Sequence, residues 1–269
     1  MKNRNMNSIK ASLLAVSGIA ALSLSAAASA VSCGDTITTA ESLTSDILNC
    51  ASHPALVIDA GGSLDMAGYH LSCDGSGIGI QLKDSDRVLE DTVGGSTITN
   101  CNNGVSAEGD GSHQIFDITA SSNSIAGIAL WSSGNTVEAS DASGNGGMGI
   151  RVMGDGNRVR YSYASSNGLQ GIKIVGDNTL IRFNETNLNT SSGIVIDSGD
   201  GGIVANNLSD NNGVNGIMML GLGQVGYLII GNTAENNAGA DLADHNHPAC
   251  TGNVWIRNTF GSANDACIN

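Results

Sequence analysis

Apolar and polar residues alternate along this chain in short bursts, and the bursts recur. Successive blocks open with "GVSA" at Gly104, "GIAL" at Gly127, "GIRV" at Gly149, "GIKI" at Gly171, "GIVI" at Gly193 and "GIMM" at Gly216. "DLAD" at Asp241 takes the same place, and the spacings are 23, 22, 22, 22, 23 and 25 residues. "ALVI" at Ala55 and "GIQL" at Gly79 extend the series backwards with looser spacings of 24 and 25. Four residues before each opener from position 104 onward stands an asparagine: Asn100, Asn123, Asn145, Asn167, Asn189, Asn212 and Asn237, with Asn264 extending the column. Eight residues before these, from Asn123 onward, lies a β-branched column of Ile115, Val137, Val159, Ile181, Val204, Ile229 and Ile256.

A fixed period of this length marks a stacked repeat. Short strands with alternating inward apolar and outward polar residues, separated by Gly- and Asn-rich corners, predict an all-β, single-stranded parallel β-helix of about eight or nine coils. Each coil pairs its backbone with the coils on either side. Asparagine tolerates left-handed corners, and its stacked amides can hydrogen-bond along a ladder. A helical repeat would need longer amphipathic runs and fewer than the 37 glycines present.

The rod's ends expose strand edges that need covers. In Thr39 to Ala51, "TAESLTSDILNCA", Leu43, Ile47 and Leu48 fall at helical spacing behind a Thr39 cap. The expectation is therefore a capping helix within an N-terminal cap, residues 31–53, followed by the β-helix over 54–269. Residues 1–30 read as a signal peptide: Lys2, Arg4 and Lys10, an apolar core, then Ala28-Ser29-Ala30 before a cleavage site. No second long apolar run follows, so no membrane insertion of the remaining chain is expected.

Without the signal, 25 acidic residues face 8 basic ones, a net charge of −17. That disfavours nucleic acid as a partner. All six cysteines lie in this part, an even number suited to an oxidising compartment, secreted or periplasmic. Six cysteines allow fifteen pairings. Short-range bridges are preferred: Cys33–Cys50, Cys73–Cys101 and Cys250–Cys267, the last closing the C-terminal tail.

"CGDTITTAESLTSDILNC", "LVIDAGGSLDMAGYHLSC" and "CTGNVWIRNTFGSANDACI", together with the repeat, resemble secreted right-handed parallel β-helix repeat proteins of the pectate-lyase-like superfamily. The resemblance covers the chain after the signal and implies the right hand, which parallel crossovers favour generally. It implies no one activity. The Asp-Asp and Gly-His-Gly segments of polygalacturonases, the Arg-x-Pro-x-x-Arg of pectate lyases and the Asp-Pro-His-Asp of alginate epimerases are all missing.

In the opener strands, Ile172 and Ile174 should point inward and Lys173 outward. Its outward column holds Ser106, Ala129, Arg151, Val195, Met218 and Ala243; the column two residues on holds Glu108, Trp131, Met153, Val175, Asp197, Leu220 and His245. Arg151 and Lys173 should stack as adjacent cations, flanked by Trp131 and Asp197. Arginine clamps a carboxylate, and like-charge repulsion favours the neutral amine that a general base needs. Trp131 could stack on a sugar ring. Alginate-lyase-like β-helix enzymes use a Lys/Arg pair in this general way. The candidate site is therefore Lys173 and Arg151 as catalytic or clamping groups, with Trp131 and Asp197 binding substrate. The competing reading is a solvated face on which two cations align, as Glu138, Arg160 and Arg182 align on a second strand.

No cofactor is expected. Calcium could sit at the Asp197–Asp200 turn, and His245 with His247 could begin a transition-metal site without a third ligand. The overall expectation is an exported, monomeric β-helix that binds and possibly processes an extracellular polysaccharide. A uronate-specific lyase acting by β-elimination and a non-catalytic interaction or structural solenoid are the alternatives.

Overall fold

The computed structural model describes residues 30–221, 223–246 and 248–269. The expected signal peptide, apart from its last residue, and His247 lie outside the described residues. The chain winds as a parallel β-helix with three faces. The first sheet has ten strands, from Thr36–Ile37 through Ile172–Ile174 to Leu242–Asp244. The second also has ten, from Ala40–Ser42 through Leu180–Arg182 to Val254–Ile256. The third begins as Ile47–Cys50, Leu71–Cys73 and Ile98–Thr99. It then thins to single parallel bridges along Thr119, Asp141, Tyr163, Glu185, Leu208 and Thr233.

The core is a stack of columns. Ile150, Ile172, Ile194 and Ile217 fill one and Val152, Ile174, Ile196 and Met219 the next, all with no exposure. The β-branched column packs against them from the second sheet, with Ile115, Val137, Val159, Ile181, Val204 and Ile229 equally buried. Full burial of each such side chain stabilises the fold by about 1.5–3 kcal/mol.

The expected capping helix is not formed. No helix occurs among the described residues, and 36–50 make a complete first rung whose strands join all three sheets. Leu43 and Ile47 do point inward, but Leu48 is exposed. A rung turns its chain around the core at corners, so inward positions four residues apart imitate helical spacing. This added rung also raises the count from the expected eight or nine to ten. All three expected disulfides, Cys33–Cys50, Cys73–Cys101 and Cys250–Cys267, are present.

The asparagine ladder runs through Asn123, Asn145, Asn167, Asn189, Asn212 and Asn237. Each backbone N–H donates to the next rung's Oδ1 at 2.8–3.0 Å. Two expected members lie elsewhere. Cys101, not Asn100, donates to Asn123 Oδ1, because one residue fewer separates the ladder from the following strand in that rung. Asn264 instead bonds the backbone of Asp244. Asp241 ends the ladder: its Oδ1 accepts from Asn237 N–H and Nδ2, and its Oδ2 from Gly261 and Ser262.

A second ladder was not anticipated. Asn184, Asn207, Asn232 and Asn258 repeat the same bond at the opposite corner. The last β-branched position also departs from expectation. Trp255 rather than Ile256 pairs with Ile229 and turns inward, its indole N–H donating to Asp244 Oδ2 at 2.9 Å. A one-residue slip exchanges the two faces of a strand.

Candidate functional site

The opener glycines pin the face on which the candidate residues stand. A Cβ added to Gly171 would lie 2.7 Å from the carbonyl oxygen of Gly193 and 2.8 Å from Asn189 Nδ2. Glycine lets the ladder pass directly beneath the strand, so register is transmitted from rung to rung. The outward column follows as expected: Ser106, Ala129, Arg151, Lys173, Val195, Met218 and Ala243 are consecutive partners.

All four sequence-selected residues meet on this face, but as two pairs. The Arg151 guanidinium lies 4.5 Å above the Trp131 ring centroid, and its Nε is 3.2 Å from Met153 Sδ. Lys173 turns the other way, with Nζ 2.7 Å from Asp197 Oδ2. Adjacent strands are only about 4.8 Å apart, and the two cations separate by leaning toward opposite rungs. Trp131 nevertheless remains 44% exposed.

Glu108 joins the site from the rung below Trp131. Gln81 Nε2 donates to its Oε2 at 2.7 Å and Ser106 Oγ to its Oε1 at 2.8 Å. Its position in the Trp131–Asp197 column was visible in the sequence; its fixing by Gln81 was not. The strip therefore reads, rung by rung, as acid, aromatic, cation, cation, acid, and then apolar at Met218 and the exposed Leu220. A cation seated on an indole and a second one paired with a carboxylate can clamp an anionic group while a ring lies along the strip.

Among the described residues the other candidates are not brought together. Asp197 faces Lys173, whereas Asp200 Oδ1 accepts the Val225 N–H at 2.8 Å, so the turn does not present two carboxylates to one cation. His245 is exposed at the end of its rung. Among the described residues no group of three or more His, Cys, Asp or Glu side chains is placed to hold a metal ion. On the second sheet, Arg160 Nη2 reaches Glu138 Oε2 at 2.8 Å and Arg182 stacks next in register.

These features define a parallel β-helix with a charged, aromatic strip along its first sheet. The family described as "Right handed beta helix region" matches residues 70–178 and 126–269, and the chain belongs to it. A search of curated proteins returns no match. Among solved structures, the mannuronan C-5 epimerase AlgE6 A-module of Azotobacter vinelandii is similar, with TM-score 0.68 and 14% identity, covering 86% of this chain and 70% of its own. The periplasmic alginate epimerase AlgG is also similar, with TM-score 0.60 and 14% identity, covering 84% of this chain and 61% of its own. So is tailspike protein 2 of an Escherichia coli O157:H7 bacteriophage, with TM-score 0.54 and 13% identity, covering 84% of this chain and 37% of its own. At these identities the likeness is one of fold.

Proposed function

We propose that the chain is an exported protein that binds an extracellular polysaccharide along its first sheet, with an acidic, uronate-containing polymer as its ligand. The observation that carries this reading is the strip itself, with Arg151 on Trp131 and Lys173 on Asp197 in successive rungs of one exposed face. Sugar rings would stack on Trp131, and Arg151 and Lys173 would hold carboxylates. Two of the similar structures are named for action on alginate or mannuronan, which supports the ligand class. The three disulfides support an oxidising location, extracellular or periplasmic. Binding is preferred to β-elimination because Lys173, the group that would serve as base, is already engaged by Asp197.

The test is a titration with alginate, polygalacturonate and dextran, followed by tryptophan fluorescence. Trp255 is buried, so a surface-driven change reports Trp131. Alginate or polygalacturonate should change the emission, and Arg151→Ala and Lys173→Ala should remove the change. No response to any polymer overturns the reading. A rise in unsaturated-uronate absorbance in the same incubations, lost in Lys173→Ala, would replace it with a lyase.

A further inference from the structure

From Gln114–Phe116 onward, the residue that follows each second-sheet strand turns a corner in the left-handed region. Asp117, Ala139, Tyr161, Phe183, Asn206, Gly231 and Arg257 all have φ between 52° and 65°. Asp, Asn and Gly enter this region at little cost, but a bulky side chain does not. Two adjacent rungs nevertheless place aromatic rings there, and backbone strain of this kind concentrates where a protein binds something.

Core packing does not account for the two rings. Tyr161 is 47% and Phe183 37% exposed. Their rings stack outward with centroids 5.0 Å apart and planes inclined by 10°. Tyr163, 48% exposed, rises beside them and lines the same cavity with Asn206 and Leu208, about 250 Å³ in volume. The whole chain has nine aromatic residues, so a third of them crowd onto one corner of two rungs.

The charges narrow the ligand. Arg182 lies 4.5 Å above the Phe183 ring centroid and makes no ion pair among the described residues. Its neighbour Arg160 is engaged by Glu138. Glu185 also lines the cavity, and its Oε1 accepts from Asn187 Nδ2 at 2.7 Å. In so acidic a chain, an arginine outside any of these ion pairs beside an aromatic platform suits an anion carried on a ring.

We propose that this corner is a second carbohydrate site, in which a pyranose unit of an acidic polysaccharide packs in the cavity against the exposed rings of Tyr161, Tyr163 and Phe183 and presents its carboxylate to Arg182. The proposal rests on the reading above for its ligand class only, because the corner lies on a different edge of the rod from the first-sheet strip. A polymer long enough to wrap the rod would gain avidity by touching both.

Alginate oligomers and dextran oligomers of matched length, titrated by calorimetry, test it. Wild-type protein should bind alginate at two sites and dextran weakly. The double variant Tyr161→Asn/Phe183→Asn places residues suited to the left-handed corner. It should melt higher than wild type, lose one site and keep the other unchanged. Arg182→Gln should weaken the second site roughly tenfold, the loss of one charge-assisted contact. Retention of both sites by the double variant overturns the proposal. So does a change confined to oligomeric state, which would make the patch a contact between copies. If Arg151→Ala/Lys173→Ala abolishes all binding while the double variant loses none, only the corner site fails. If wild type binds neither oligomer, the polysaccharide reading and the corner site both fail.

Discussion

Lys173 Nζ and Asp197 Oδ2 are 2.7 Å apart across one rung of the first sheet, and both side chains are about a quarter exposed. The carboxylate occupies the cation that a polymer's own carboxylate would need. Asp197→Asn should therefore tighten binding of alginate or polygalacturonate. Its effect on stability should be small, about 1 kcal/mol or less for an ion pair open to solvent. A double-mutant cycle with Lys173→Ala, read by chemical denaturation and by titration, separates the two effects.

Removing one ladder amide should cost much more. Asn167 is buried, its Oδ1 accepts from the Asn145 N–H and Nδ2, and its Nδ2 donates to Asn189 Oδ1. Asn167→Ala strands these groups out of water, at about 1–3 kcal/mol for each unsatisfied partner. Denaturant unfolding should show a loss of roughly 2–4 kcal/mol on that basis, far above the loss for an exposed asparagine.

Gly171→Ala places a methyl group against the Gly193 carbonyl and the Asn189 amide. Overpacking of this kind costs typically about 1–3 kcal/mol. The same measurement checks it, and Gly144→Ala serves as contrast: a Cβ there meets nothing within 4 Å, and only its left-handed φ of 70° opposes alanine.

The middle disulfide takes over where the ladder begins. Cys101 stands at the ladder position and bridges to Cys73, 28 residues away. Loop closure of that length is worth about 3–4 kcal/mol. Cys73→Ala/Cys101→Ala should lose that amount. Cys73→Ala/Cys101→Asn should recover part of it, because an asparagine there can extend the amide stack. Thermal melts of both variants beside wild type decide the matter.

Acid should destabilise the fold in two windows. His113 is buried; desolvation holds its proton affinity below the usual imidazole range, its Nδ1 accepts the Arg87 N–H, and its Nε2 faces the Glu108 carbonyl. The unfolded chain binds that proton more readily. The contribution of His113 is therefore complete above the unfolded histidine value near 6.5 and fades as pH falls below it. Burial pushes Asp65, Asp91 and Asp241 upward, but hydrogen bonds outweigh it and all three titrate below the ordinary aspartate value. Their contribution is present above about pH 4 and is lost as pH falls through the depressed values. Asp210 runs the other way: burial, with the charges of Glu235 and Asp241, raises it despite the bond it accepts from the Glu235 N–H. Asp210→Asn should therefore raise the melting temperature at pH 7 and have little effect near pH 3.

How much of this was legible follows from what each residue does. The opener glycines, the first ladder and the outward column of Lys173 repeat at nearly constant spacing, and constant spacing is what stacking demands. Asn100 and Ile256 depart from the columns where a rung holds one residue more or fewer, because counting along the chain cannot see a bulge. The N-terminal rung imitates a helix in sequence because Leu43 and Ile47 reach the core around a corner rather than along one face. The sequence does not single out Tyr161 and Phe183, because nothing in the letters says that their backbone turns left-handed.

The repeat by itself determined the parallel β-helix, its inward columns and the register that puts Trp131, Arg151, Lys173 and Asp197 on one face. Those are properties of period and parity, which a linear chain carries in full. Only the tertiary structure decided that Arg151 leans onto Trp131 and Lys173 onto Asp197, and that two strained rings stack at a corner beside Arg182. Side-chain direction and corner conformation arise from contacts between rungs more than twenty residues apart, and such contacts exist only once the coils are stacked.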